Sequence, residues 1–396
     1  MRTKTIFMVA GAAIALVFGC TPTLRAGEPE RIKITAEAWS TTPPVPLAMS
    51  GFSGEVDRVL RFDLEVAGFK FVPESDEKCQ YTLKGANGGA VEGRLTDVVK
   101  KAALFAKAYS GGNLRTQAHA LADDVVQAVT GRKGIAQTKI AFKSVRASNS
   151  EVFVSDYDGF NPIAATQDNS IVAAPAWRPG RRMLYYTTYR LGNPDIVSQD
   201  LDSGARAIVA RYAGSNISPA LSADGRRVAM ILSKNGSPDL YVANADGTGL
   251  KQLTQTREDE SCPCWSPDGS TICFATKLDG RRSLAVVSAD GGPIRRLATS
   301  GVVNPSEPDW SPDGKLIAFT AQMGGFEICL VKAGGGEAKL LVSGEDPSWA
   351  PNSRTLIFAR RGAGGKRFLS LLDVPTKQSK DITQNLGACS QPSWAR

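Results

Sequence analysis

The chain has one histidine in 396 residues, His119, so any Ser-His-Asp or Cys-His chemistry must run through it. Arg115 and Asp123 stand one helical turn either side of it, on the flank of an apolar stripe formed by Leu114, Ala118, Leu121, Ala122, Val125 and Val129. That placement reads as a polar seam against a neighbouring domain, not as a base with its partners. No Gly-x-Ser-x-Gly elbow occurs to supply a hydrolase nucleophile. Gly362-Ala363-Gly364-Gly365-Lys366 has the look of a phosphate loop, yet Arg367 stands where a hydroxyl should meet magnesium. Asp156-Tyr157-Asp158-Gly159 starts like a calcium loop but lacks the closing Glu. Cys262-Pro263-Cys264 has neither the spacing nor the second ligand pair of a zinc knuckle. These patterns predict no catalytic residue, no metal and no cofactor.

The elements that carry these residues are written as a repeat. Five segments share one template: Trp177 to Tyr186, Leu221 to Met230, Trp265 to Phe274, Trp310 to Phe319 and Trp349 to Phe358, with a sixth start at Trp394. The starts are 44, 44, 45, 39 and 45 residues apart, a period that marks propeller blades or solenoid units. Each unit reads as four short strands: a first strand ending in Trp or Leu, a turn of the Pro-Asp-Gly kind, and a β-rich second strand. A third strand such as Asp239 to Asn244 follows, and a second turn such as Ala245-Asp246-Gly247 leads to the fourth at Leu250 to Thr254. Thr138 to Lys143 reads as a second strand with no first strand before it, and Glu151 to Asp156 as its third. Gln391 to Trp394 is a first strand with nothing after it. Joined, the two fragments make a sixth blade, which predicts a ring stapled by its C-terminal strand and leaves no chain after it for a catalytic domain.

The N-terminal residues Arg2 and Lys4 precede an apolar run from Ile6 to Phe18, the build of a signal peptide over residues 1–26. Leu24-Arg25-Ala26 offers an ordinary cleavage site, and Val17-Phe18-Gly19-Cys20 an imperfect lipobox. Without Arg2, Lys4 and Arg25 the formal charge falls from +8 to +5, a mild excess that does not point to nucleic acid. Cys264 and Cys273 fall opposite one another in a hairpin, which suits either a bridge or two small buried apolar side chains. Residues 27–135 read as a small α/β domain. Ile32 to Ala38 alternates like a strand and Val45 to Met49 could pair beside it. Ser53 caps a helix that carries Val56, Val59, Leu60, Leu64 and Ala67 and is closed by Gly68. Tyr81 to Gly85 and Ala102 to Tyr109 read as strands, the second with helix as an alternative. The helix with the clearest stripe ends at Thr130-Gly131, and residues 136–396 form the ring.

Arg115-Thr116-Gln117-Ala118-His119 through Asp123, Val125, Thr130-Gly131, Gly134 and Thr138 to Phe142 resembles the junction between the two domains of the TolB family, periplasmic propellers of the Tol-Pal system. The resemblance implies a six-bladed β-propeller behind a small α/β domain, with no enzymatic activity. It implies a periplasmic monomer, peripheral to the outer membrane through its partners. Those partners would be the peptidoglycan-associated lipoprotein Pal, at the propeller mouth, and the inner-membrane protein TolA, at the N-terminal end. Maintenance of the outer membrane and its constriction during cell division would be the role. A propeller module of a peptidase-like or orphan adaptor protein is the alternative.

If both turns of each blade lie on one face, the loops entering each first strand lie on the other and form the mouth. This collects Ser215, Asn216, Ser218 and Pro219, then Glu260, Ser261 and Cys262, then Asn304, Glu307 and Pro308, and Asp346. Mixed polarity around a central hole suits recognition of a protein surface. Ser215 and Ser218 stand where an entering loop of the family has His and Ala, and Cys262 where the next often has Glu.

Overall fold

The computed structural model describes residues 42–382 and 386–396. The signal segment, Cys20 and the strand expected at Ile32 to Ala38 lie outside those residues. Strand β1 (Val45–Ser50) is followed by helix α1 (Gly54–Val66), then β2 (Phe69–Phe71), β3 (Tyr81–Ala86), β4 (Val91–Asp97), β5 (Ala102–Tyr109) and helix α2 (Leu114–Thr130). The sheet order is β2-β1-β3-β4-β5, with β1 parallel to both neighbours and the rest antiparallel. The strands β2 and β4 carried no clear period in the sequence, one being three residues long and the other interrupted by Gly93. Ala102 to Tyr109 is strand and not helix, because it completes the sheet edge on β4. Ser53 occupies the N-cap position of α1, but its side chain makes no cap bond; its backbone N–H donates instead to Asn87 Oδ1 at 3.0 Å. Helix α2 is capped as its sequence demands, with Asn113 Oδ1 accepting from the Thr116 amide and left-handed Gly131 (φ 69°) ending it.

Six four-stranded antiparallel sheets follow. Blades 1 to 5 begin with the strands Val172–Trp177, Asn216–Leu221, Ser261–Trp265, Ser306–Trp310 and Glu345–Trp349. Blade 6 combines Ala388–Trp394 with Lys139–Arg146, Asn149–Asp156 and Ile163–Ala164, in that order, so the C-terminal strand closes the ring as expected. Fourth strands are short; the one expected at Leu250 to Thr254 spans only Lys251–Gln252. Cys264 and Cys273 are register partners, and both are buried free thiols.

The apolar stripes of α1 and α2 meet the sheet through Leu47, Leu60, Leu64, Leu83, Leu95, Leu121 and Val125. The same buried cluster runs on into the propeller through Phe142, Tyr157, Leu369 and Trp394. The α/β layer therefore sits on the turn face of blades 5 and 6, where the Thr42 amide donates to Pro375 O at 3.0 Å and Gln378 Nε2 to Phe69 O at 3.2 Å.

The turns after the first strands of blades 2, 3 and 4 close on themselves. Ser222, Ser266 and Ser311 donate to Asp224, Asp268 and Asp313 at 2.6, 2.5 and 2.7 Å, and left-handed Gly225, Gly269 and Gly314 follow. This is why the Ser-x-Asp-Gly string recurs: each turn supplies its own acceptors for the amides it strips from the ladder.

Candidate functional site

Every first strand carries a proline two residues before its template start: Pro175, Pro219, Pro263, Pro308, Pro347 and Pro392. Proline cannot donate to the ladder, so a first strand paired on its second strand can hold it only at a bulge. Each pairing register does shift at that point. The residue before each proline is left-handed: Ala174 (φ 50°), Ser218 (55°), Cys262 (51°), Glu307 (53°), Asp346 (57°) and Gln391 (50°). Non-glycine residues in that region cost about 1–2 kcal/mol each, and a following proline favours extended backbone instead. Six such residues at one level form a ring, and with the six prolines they line a central channel of about 760 Å³.

Hydrogen bonds between blades offset part of this strain. The Asp346 amide donates to Glu307 Oε2 at 3.0 Å, the Gln391 amide to Asp346 Oδ2 at 2.9 Å, and the Ala174 amide to Gln391 Oε1 at 3.0 Å. Each left-handed side chain thus caps the amide of its counterpart on the next blade, from blade 4 across the closure to blade 1. The relay stops at Ala174, which has no acceptor, and Thr187 Oγ1 takes the Ser218 amide at 3.2 Å. The ring is two-sided in consequence, with Glu307, Asp346 and Gln391 on one arc and Ala174, Ser218 and Cys262 on the other.

Burial, reinforced by Glu307 and Glu345, pushes the Asp346 carboxyl up to about 8. Burial and Asp239 push Glu260 up to about 7 against the Thr256 and Thr276 hydroxyls, and burial pushes the Cys262 thiol up to about 12. A carboxyl whose folded value is raised lends stability below its unfolded value near 4, and that stability is lost as pH rises through the folded value. The propeller is therefore expected to melt lower at pH 9 than at pH 5. Asp346→Asn, which keeps an acceptor for Gln391, should remove on the order of 1–3 kcal/mol of that dependence; thermal melts across this range check it, and an unchanged slope would refute the assignment.

Of the residues expected at the mouth, Ser218, Pro219, Cys262, Glu307, Pro308 and Asp346 come together on the channel. Ser215 and Ser261 do not line it and are half-buried on the loops that lead to it, and Asn304 is exposed on its loop, left-handed at φ 48°. Asn216 and Glu260 do not face a partner. Asn216 is fully buried; it ties down its own loop through the Tyr212 amide and Tyr212 O, and joins it to blade 1 through Pro194 O. Glu260 is 2% exposed and is held by Thr256 and Thr276 at 2.9 and 3.0 Å. Ala174, Pro175, Pro263, Gln391 and Pro392 were not foreseen as ring members; the signal for them was the constant offset of Pro from the template start.

Arg115, His119 and Asp123 do not bond to one another. Arg115 pairs with Asp158 and, at 3.6 Å, with Glu55. Asp123 accepts the Ala136 amide at 2.8 Å and Gln137 Nε2 at 3.0 Å, which ties the linker to α2. His119 is buried, not flanking, and its Nδ1 lies 2.7 Å from Asp63 Oδ2; the other Asp63 oxygen accepts from the Tyr157 hydroxyl at 2.5 Å. The Asp156 to Gly159 segment is a turn that supplies Tyr157 and Asp158 to this contact.

Residues 126–396 match the model of the TolB beta propeller domain. The chain belongs to the TolB β-propeller family. Among TolB relatives, the Tol-Pal system protein TolB of Nitrosomonas europaea is 32% identical over 206 residues, 44% of this chain and 48% of that one. That of Bordetella pertussis is 37% identical over 125 residues, 31% of this chain and 28% of that one. The chain thus matches about half, or less, of these relatives' length. The crystal structure of TolB from Acinetobacter baumannii aligns with 90% of this chain and 98% of its own, with a TM-score of 0.80 at 22% identity. The six-bladed propeller preceded by an α/β layer is the TolB fold.

Proposed function

We propose that this chain acts as a protein-binding, non-enzymatic component of a Tol-Pal system in the cell envelope, exported to the periplasm. In this reading the propeller mouth grips Pal, and the N-terminal end engages TolA, so that competition for Pal drives outer-membrane attachment and constriction at division. The observation that carries it is the strained polar ring at the channel mouth. Six left-handed residues are maintained there against their backbone preference, and strain of this kind gathers at binding sites. Membership of the TolB family supports the choice of partner.

The test is a calorimetric titration of the mature chain with the Pal domain of the same organism. Saturable binding is expected, and Ser218→Phe, which narrows the mouth at its small-residue arc, should weaken it about a hundredfold while the variant melts like the parent. Absence of binding at tens of micromolar would replace this reading with an adaptor of another system.

A further inference from the structure

The turn face holds the point where one blade departs most from its own template. Blades 2, 3 and 4 place Ser, Asp and Gly at the first, third and fourth turn positions, as in Ser222-Ala223-Asp224-Gly225. Blade 1 reads Arg178-Pro179-Gly180-Arg181-Arg182. The self-satisfied acidic cap is gone, and the left-handed residue moves one place earlier, to Gly180 at φ 70°. Pro followed by left-handed Gly makes a type II turn, which needs no side-chain acceptor and releases those positions for other use.

They are used for charge. The turn borders a pocket of about 280 Å³ whose cationic wall is Lys139, Arg178, Arg181 and Arg182. Arg396 also lines it but is spent inward, on Asp309 and on Trp349 O at 3.1 Å. Lys139 is paired with Asp156, and Arg182 with Asp202 at 2.6 Å on an exposed rim. Asp246 and Asp200 lie near enough to feel Arg178 and Arg181, yet among the described residues neither arginine has a carboxylate within 4.0 Å. Arg178 meets the Met183 sulfur at 3.8 Å and the Tyr185 hydroxyl, both neutral partners. Around Gly180 the space where a side chain would stand is open. Cations crowded at one concavity repel one another, and guanidinium forks match the oxygen pairs of a tetrahedral oxyanion.

We propose that this pocket is a phosphate site, taking the group either as a free anion or as the headgroup of an anionic phospholipid. The experiment uses the full chain and its variant Arg178→Ser/Gly180→Asp/Arg181→Gly, which writes the neighbouring blades' turn into blade 1 and should melt at or above the parent. Inorganic phosphate is titrated by calorimetry, and vesicles of phosphatidylglycerol are compared with vesicles of phosphatidylcholine by sedimentation, both at low ionic strength. A one-site phosphate isotherm, weakened at least about tenfold in the variant, supports the proposal. Capture by phosphatidylglycerol that phosphate competes away assigns the lipid source; phosphate binding without capture assigns the free anion. No phosphate isotherm, capture that phosphate does not compete, or equal binding by the variant overturns it. Should the variant fail to fold, Arg178→Gln/Arg181→Gln, which leaves the turn glycine in place, decides by the same criteria.

Discussion

A chain ending at Ser390 is expected to lose the cooperative unfolding of the whole propeller, not to fray at one end. The deleted residues complete the first strand of blade 6, which pairs with Lys139–Arg146. Trp394 is 2% exposed in the core shared with the α/β layer, its ring centroid 6.2 Å from that of Tyr157. Its indole N–H donates to Thr138 Oγ1 at 2.8 Å, and the Ser393 carbonyl accepts from Trp177 at 3.1 Å. Gln391 carries the relay from Asp346 to Ala174. Losing a buried Trp alone costs about 3–5 kcal/mol, and an open sheet edge adds lost ladder bonds, against a typical total stability of 5–15 kcal/mol. Circular-dichroism melts of the two chains provide the check. A melting temperature within a few degrees of the full-length value would refute ring closure as the main source of stability.

Asp63→Ala is expected to be the most damaging single substitution in the α/β layer. The Asp63 carboxylate, 4% exposed, joins three elements, since α1 supplies it, α2 supplies His119 and the propeller supplies Tyr157. Removing it strands an imidazole and a phenol in the core, a loss of about 3–5 kcal/mol. Burial pushes the Asp63 carboxyl up; burial alone would lower His119, but the hydrogen bond and charge of Asp63 outweigh it and push His119 up. Both raised groups lend stability that is present at low pH and lost as pH rises through their folded values. Urea titrations at pH 6 and pH 9 should show the larger deficit at pH 6. A deficit under about 1 kcal/mol at pH 6 would mean that the contact is not structural.

Much of this architecture is written in short-range spacing. The Trp starts, the Ser-x-Asp-Gly turns and the orphan strands at 138–143 and 391–394 are features of a few residues each, repeated, so they could be read without knowing what they touch. Expectation failed where a residue's role depends on a distant partner. Asn216 and Glu260 have the polarity of mouth residues, but the bulge puts the residue two places on, Ser218 or Cys262, at the channel and leaves these two buried among polar partners of their own and neighbouring segments. His119 has the spacing of a flank, but Asp63, 56 residues earlier, draws it into the core.

The sequence by itself determined the number of blades, the closure and the absence of a hydrolase elbow, because period, turn chemistry and proline placement act through local backbone geometry. Only the tertiary structure decided which side chains meet at the channel, which acid is buried against which base, and that one of the five turns after a first strand gathers two arginines without carboxylate partners into a pocket. Those depend on contacts between residues tens to hundreds of positions apart, where distance and burial, not residue type, set the chemistry.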